Sequence, residues 1–331
     1  MRTTRSAAYP LALISLSAFA VLALLDLLFF DMTFLQRARD LVRGQASWAD
    51  EWDVDGGNDS GQERSVYWKA DFREDVEVTK NFYHELGNHG WGNNEAQNYV
   101  ASPANSFHGK SHANGIVADA LIMRAIIDHS QPDKSKAYTS ARLSSHTGLA
   151  RNRGYLSARI TAPVAPGIWP AFWLLPQDPF SWPTDGEVDI MEAWNGDPDN
   201  HSCLHWGHYN GADWNKHRVL KTKTPHLGSP AGVVFGFAWS ENPATGNGKM
   251  IWYIDGVPVM RATKPAGTRP MKDFRILLNI AVGGTLNKGT LPVDGTYEMI
   301  VRDLEAWDAP VGGWSAFRED WNRAPEGKPV A

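Results

Sequence analysis

From about Val66 to Trp307 the chain is cut into short apolar runs by clusters of Gly, Pro, Asn and Asp. Gly115–Ile127, Gly154–Ile160, Phe172–Leu175, Val188–Ala193, Val233–Trp239, Lys249–Ile254, Phe274–Val282 and Tyr297–Trp307 are the clearest. Runs of that length between turn residues build strands, and no long helical periodicity follows residue 45. Ile251–Ile254, then Asp255-Gly256, then Val257-Pro258-Val259 reads as a hairpin. No long internal repeat is present. The pattern predicts an all-β sandwich or barrel. At 331 residues the chain can hold one large all-β domain with its own core.

Net charge is −5 with the basic residues scattered, which argues against a nucleic-acid partner. The 15 tryptophans supply core volume or flat stacking surfaces. A single cysteine, Cys203, excludes an intrachain disulfide. Cys203 and His205 share one short run with no evident third orienting group, so Cys203 reads as a small buried residue rather than a nucleophile.

Tyr9 to Phe30 is nearly all apolar and follows Arg2 and Arg5, the pattern of a secretory signal. Ala18-Phe19-Ala20 offers a cleavage site. The run is also long enough to span a bilayer, which favours a retained hydrophobic helix acting as a signal-anchor. The protein is thus expected in the secretory pathway, secreted or as a type II membrane protein with its large domain outside the cytoplasm. The sequons Asn58-Asp59-Ser60 and Asn200-His201-Ser202 permit that placement. The expected layout is an anchor or signal over 1–35, a polar stalk over 36–65, a catalytic domain over 66–308 and a polar tail over 309–331.

The chemistry is concentrated in Asp185-Gly186-Glu187-Val188-Asp189-Ile190-Met191-Glu192-Ala193. Val188 and Ile190 alternate with Glu187 and Asp189, so one face of a strand is apolar and the other acidic. Glu192 breaks the alternation. A β-bulge near Ile190-Met191 would return it to the acidic face. Glu187 and Glu192 would then stand about 13 Å apart along the backbone. Their side chains, leaning together, would bring the carboxyl groups to roughly 5–6 Å, the spacing of a retaining glycosidase. Close carboxylates resist ionising together, so one keeps its proton near neutral pH. The competing readings are a solvated acidic face, a calcium site of oxygen ligands, and a sugar-binding module without catalysis.

These residues resemble glycoside hydrolase family 16, and within it the laminarinase-like endo-β-1,3-glucanases. Glu187 to Glu192 matches the family's bulged catalytic strand, E-x-D-x-x-E. Trp91-Gly92-Asn93-Asn94-Glu95, Thr139–Leu143, Gly154–Ile160, Gly167–Pro176, His205-Trp206-Gly207, Leu278–Gly284 and Val301–Trp307 resemble the family's other blocks, in family order. The resemblance covers residues 66–308. Ala96 and Trp206 depart from the usual residues, and Arg218–Pro230 has no recognisable counterpart.

The resemblance implies a jelly-roll sandwich of two antiparallel sheets, concanavalin A-like, with an open cleft. It implies double displacement with Glu187 as nucleophile, Glu192 as acid/base and Asp189 hydrogen-bonded to the nucleophile. It implies no cofactor and no metal in the chemistry, and a β-glucan chain as partner. Trp169 and Trp173 lie four apart on one strand face and serve as sugar-stacking walls or as core. The resemblance favours the walls. His205 serves the acid/base or a sugar hydroxyl, or is a satisfied core histidine, and Trp206 points into the core. Asn93, Asn94 and Glu95 recognise sugar hydroxyls or hold their own loop. Asn279 is equally open, while Arg142 and Arg159 read as structural or rim charges. The leading expectation is an endo-β-1,3-glucanase, with mixed β-1,3/1,4-glucan as a further substrate. The alternatives are a transglycosylase of the same family and a membrane-tethered glucan-binding or wall-assembly protein.

Overall fold

In a computed structural model the apolar runs pair into two sheets. The structure describes residues 64–329 apart from 114, 209–212, 214 and 215. The expected N-terminal helix, most of the stalk and the Asn58 sequon lie outside the described residues. Arg64 and Ser65, the end of the expected stalk, already belong to the fold. Arg64 stacks over Trp307, and Ser65 exchanges backbone and side-chain hydrogen bonds with Asp308. No helix among the described residues is long and apolar enough to cross a membrane.

In chain order the strands are β1 (Val66–Lys69), β2 (Phe82–His84), β3 (Asn98–Tyr99), β4 (Ser106–Ala113), β5 (Ile116–Ile127), β6 (Tyr138–Ser140), β7 (Arg142–Gly148), β8 (Arg153–Thr161) and β9 (Ile168–Pro176). There follow β10 (Glu187–Glu192), β11 (Asn200–His205), β12 (Arg218–Thr222), β13 (Val233–Glu241), β14 (Gly248–Ile254), β15 (Val257–Lys264), β16 (Phe274–Val282), β17 (Gly295–Trp307), helix α1 (Gly313–Arg323) and β18 (Lys328–Pro329). One sheet runs β15-β14-β13-β8-β17-β5-β6-β3, with β1 added on β17 and β4 on β5. The other runs β18-β12-β11-β10-β9-β16-β7-β2. The strand pairs are antiparallel except β3 with β6, so the expectation of two purely antiparallel sheets is corrected at that short parallel pair.

The core lies between the sheets because strand residues alternate faces. Phe235, Phe237 and Trp239 of β13 and Met250 and Trp252 of β14 meet Phe172 and Leu174 of β9, Val188 and Ile190 of β10 and Leu278 and Ile280 of β16. Each such side chain contributes about 1.5–3 kcal/mol by leaving water. The alternate residues Tyr155, Ala238, Ile251 and Tyr253 point away from that core. Trp314 and Phe317 of α1 cover them. The tail that reads as polar thus carries a short helix, whose apolar positions Trp314, Phe317 and Trp321 lie on one stripe. The expected hairpin closes with Asp255 and Gly256 at φ 48° and 78°, as a tight turn between twisted strands requires.

Candidate active site

The acidic strand β10 is the fourth strand from one edge of the eight-stranded sheet, between β9 and β11. Register with β9 pairs Asp189 with Trp173 and then Met191 with Phe172, so Ile190 is the extra residue of a bulge. The expected bulge is therefore present. Glu192 stands opposite Ala171, whose small side chain leaves it room. On the other side, β11 sets His205 opposite Glu187 and Cys203 opposite Asp189.

A bulge orphans backbone groups, and this one is buried. Asn200, fully buried at the start of β11, satisfies it. Its Oδ1 accepts from the Glu192 N–H at 3.1 Å, and its Nδ2 donates to the Ile190 carbonyl at 3.3 Å. From the opposite sheet, Trp252 Nε1 donates to the Asp189 carbonyl at 2.8 Å. The bulge that aims Glu192 is thus held from both sides. Asn200 also belongs to the second expected sequon. A fully buried amide committed to the bulge cannot carry a glycan in the folded protein, so that support for an outside placement falls away.

Each carboxylate has distinct partners. Glu187 Oε2 accepts from Trp182 Nε1 at 2.8 Å, and its Oε1 lies 3.9 Å from His205 Nε2. Glu192 Oε1 accepts from Trp169 Nε1 at 2.8 Å, with Cys203 Sγ 3.9 Å from its Oε2. Asp189 is 2% exposed, and His205 Nε2 lies 3.2 Å from its Oδ2. Burial, and then the Asp189 charge, push the Glu187 carboxyl up to about 8. The same two causes hold Glu192 well above the usual carboxylate range. Burial alone would lower His205, but the Asp189 carboxylate beside it and the Glu187 charge outweigh that and raise it. Its Nδ1 faces His217 Nδ1 at 2.7 Å, so one ring donates and the other accepts. Burial and the His205 charge lower His217, which leaves His205 as the ring that takes up a second proton.

The two expected tryptophans share the face of Glu192, but their roles differ. Trp169 is only 8% exposed and its indole N–H is committed to Glu192, so it offers little open ring. Trp173 donates to Asn279 Oδ1 at 2.7 Å, and Asn279 donates on to the Tyr99 hydroxyl. Arg142 lies over both the Trp91 and Trp173 rings at 4.7 Å and is fixed by Glu85 at 2.6 Å. It is therefore part of the site's surroundings rather than a rim charge. Arg159 is on β8 of the other sheet, near Asp303.

Asn93, Asn94 and Glu95 form a self-held loop. Glu95 accepts the Asn93 N–H, the Asn93 carbonyl accepts from Thr285, and Asn94 has φ 55°. Glu95 bridges to Gly283, at the end of β16. Trp206 packs partly against the core, as expected, with Arg218 over its ring. The stretch without a family counterpart supplies β12, the neighbour of β11.

Sequence reasoning missed Trp182, Asn200, His217 and the stacked pair Trp194–His201, whose rings lie 3.7 Å apart. Trp182 sits in a Pro-rich loop with no periodicity to mark it. Asn200 hides in a polar run, Asn-His-Ser-Cys-Leu-His, whose burial no hydropathy pattern announces. The Cys203–His205 pair does have a third group nearby: Asp189, Cys203 and His205 each place a donor atom within 4.8 Å of the others.

Residues 97–229 match a family model described as XgeA-like, catalytic GH16 domain. The chain is 30% identical over 224 residues to the glucan endo-1,3-beta-glucosidase of Cryptopygus antarcticus, covering 62% of this chain and 76% of the relative. It is 25% identical over 260 residues to glucan endo-1,3-beta-glucosidase A1 of Niallia circulans, covering 69% of this chain but 35% of that relative, so it spans about a third of that protein's length. The solved endo-beta-1,3-glucanase of Pyrococcus furiosus superposes with a TM-score of 0.57 at 27% identity, over 75% of this chain and 95% of that one.

Proposed function

The chain belongs to glycoside hydrolase family 16, and from that premise we propose that it is a retaining endo-glycosidase that hydrolyses β-1,3-glucan, with mixed β-1,3/1,4-glucan as a further substrate. The observation that carries the reading is the bulge at Ile190, which puts Glu187 and Glu192 on one face of β10 with Asp189 between them in sequence. The names of the Cryptopygus and Niallia relatives support the β-1,3 linkage.

Both glutamates resist ionisation, so the resting site keeps a proton near neutral pH. Which one gives its proton up first follows from their neighbours. Glu187 has the Trp182 N–H, a protonatable His205 and the positive field of Arg142. Glu192 has the Trp169 N–H but no cation among its neighbours, and feels two carboxylates. Glu187 therefore ionises first and is the nucleophile, while Glu192 stays the acid. In the first step Glu187 attacks the anomeric carbon as Glu192 protonates the departing oxygen. In the second, the Glu192 carboxylate takes a proton from water, and that water releases the sugar from Glu187. Asp189, beside His205, adds the negative field that makes both glutamates hold their protons. Trp173, Trp91 and the exposed Trp182 ring flank the glucan path.

We further propose that residues 66–308 are the catalytic domain, that 309–331 brace it, and that residues 1–35 carry it into the secretory pathway as an anchor or signal. Glu192→Gln is expected to slow cleavage of glucan by about 10²–10⁴-fold. Aryl glucosides with good leaving groups should lose far less. Equal losses on both would remove the acid role from Glu192. Short oligosaccharides growing longer during the reaction would replace hydrolysis with transglycosylation.

A further inference from the structure

Asp189 Oδ2 is a buried carboxylate oxygen that accepts no hydrogen bond. His205 Nε2 approaches it to 3.2 Å but off the hydrogen-bonding direction. The Cys203 thiol is buried beside both. Three donors, one oxygen, one nitrogen and one sulfur, lie within 4.8 Å of one another. Their placement is fixed by β-register: Cys203 pairs with Asp189 and His205 with Glu187, and both side chains of β11 share the acidic face.

We propose that Asp189, Cys203 and His205 bind a thiophilic divalent metal ion of the zinc class, and that its occupancy switches the enzyme off. Tetrahedral zinc with one sulfur and two lighter ligands sets donors roughly 3.3–3.8 Å apart. His205 Nε2 and Asp189 Oδ2, at 3.2 Å, are already close to that spacing, and the widest pair, within 4.8 Å, closes by up to about 1 Å. A sulfur and an imidazole nitrogen select zinc-like ions over calcium or magnesium, which take oxygen shells. Glu187 Oε1, 3.9 Å from His205 Nε2, and Glu192 Oε2, 3.9 Å from Cys203 Sγ, stand ready to fill a remaining position. Access is from the Glu187 and His205 side, where side chains are 15% and 22% exposed. Binding exchanges protons for the metal: the S–H bond breaks as a metal–sulfur bond forms, any proton on His205 Nε2 leaves so that its lone pair can bind, and the protons go to solvent. The dication relieves repulsion among the three carboxylates. It also ties up Asp189 and His205 and pins the negative charge that Glu187 must deliver to the sugar.

This inference rests on the glycosidase reading only for its effect on turnover; the binding itself is read separately. Zn²⁺ is titrated into glucan hydrolysis by the chelator-washed full chain, and into the Cys203→Ala and Cys203→Ser variants, each scaled to its own metal-free rate. The half-inhibiting concentration is expected to rise in both variants by at least the 10–100-fold that losing even an outer partner of a metal ligand costs. In parallel, Co²⁺ is titrated without substrate. The parent chain is expected to give thiolate-to-cobalt charge-transfer absorption in the near ultraviolet, absent from both variants. Equal zinc inhibition of parent and variants, or no charge-transfer band in the parent, would overturn the proposal. A cobalt band in a chain that cleaves no glucan would leave the metal site standing and sink only the glycosidase reading.

Discussion

At the scale of single residues, the site holds two glutamates that the fold would rather keep neutral. The sign of the resulting pH dependence follows from where the proton is held. Glu187 has its folded value raised from about 4.5 to about 8, and Glu192 is raised well above the same starting point. Below the unfolded value both states hold the protons, and neither residue costs anything. As pH climbs from about 4.5 through 8, the unfolded chain ionises freely while the folded one resists, so stability is lost across that window. Glu187→Gln should therefore melt like the parent near pH 4 and at a higher temperature near pH 8. Thermal unfolding of both proteins across the range checks this. A variant that is no more stable at pH 8 would mean that Glu187 is not held in a disfavoured ionised state. The three acids were legible in the sequence because charge on a strand otherwise apolar at alternate positions has few structural uses. Trp182 was not, because a loop residue declares its target only once the loop is folded over it.

At the scale of the strand, the bulge is the element that makes chemistry from spacing. It was readable as a broken alternation, five positions from Glu187 to Glu192. What holds it was not readable. Asn200 and Trp252 come from other strands, and a polar residue at a buried position looks in sequence like a polar residue at a surface. For the same reason β9, β13, β14 and β16 were visible as apolar runs and β11 only as the short run around Cys203 and His205, while the short β2, β3 and β12 were not visible. Asn200→Ala leaves the Glu192 N–H and the Ile190 carbonyl without partners in the interior, at about 1–3 kcal/mol each. Denaturant unfolding should register that loss, and kcat should fall with it while KM changes little, since Glu192 is mis-aimed and the sugar path is untouched. A drop in stability with kcat unchanged would show that the bulge keeps its shape without Asn200. Protein made in a glycosylating host should carry no glycan at Asn200, which intact mass measurement reads directly.

At the scale of the molecule, two sheets with one shared core account for the order of the sequence blocks along residues 66–308. The sandwich followed from many short strands, whereas the choice of a jelly roll over a barrel came from the family resemblance. Helix α1 and β18 lay outside both arguments. Both close onto the sandwich, α1 over Tyr155 and Tyr253 and β18 beside β12. The chain from residue 64 onward should consequently unfold as one cooperative transition, and removing residues 309–331 should lower its midpoint by uncovering those tyrosines. An unchanged midpoint would reduce α1 to an appendage. The most direct test of the whole account is hydrolysis of linear β-1,3-glucan by the chain from residue 64 onward, with Glu187→Gln alongside and the anomeric configuration of the first product followed by proton NMR. Cleavage by the parent with retained β configuration, and none by the variant, is the expected result. Inverted product, or cleavage that survives Glu187→Gln, would contradict it.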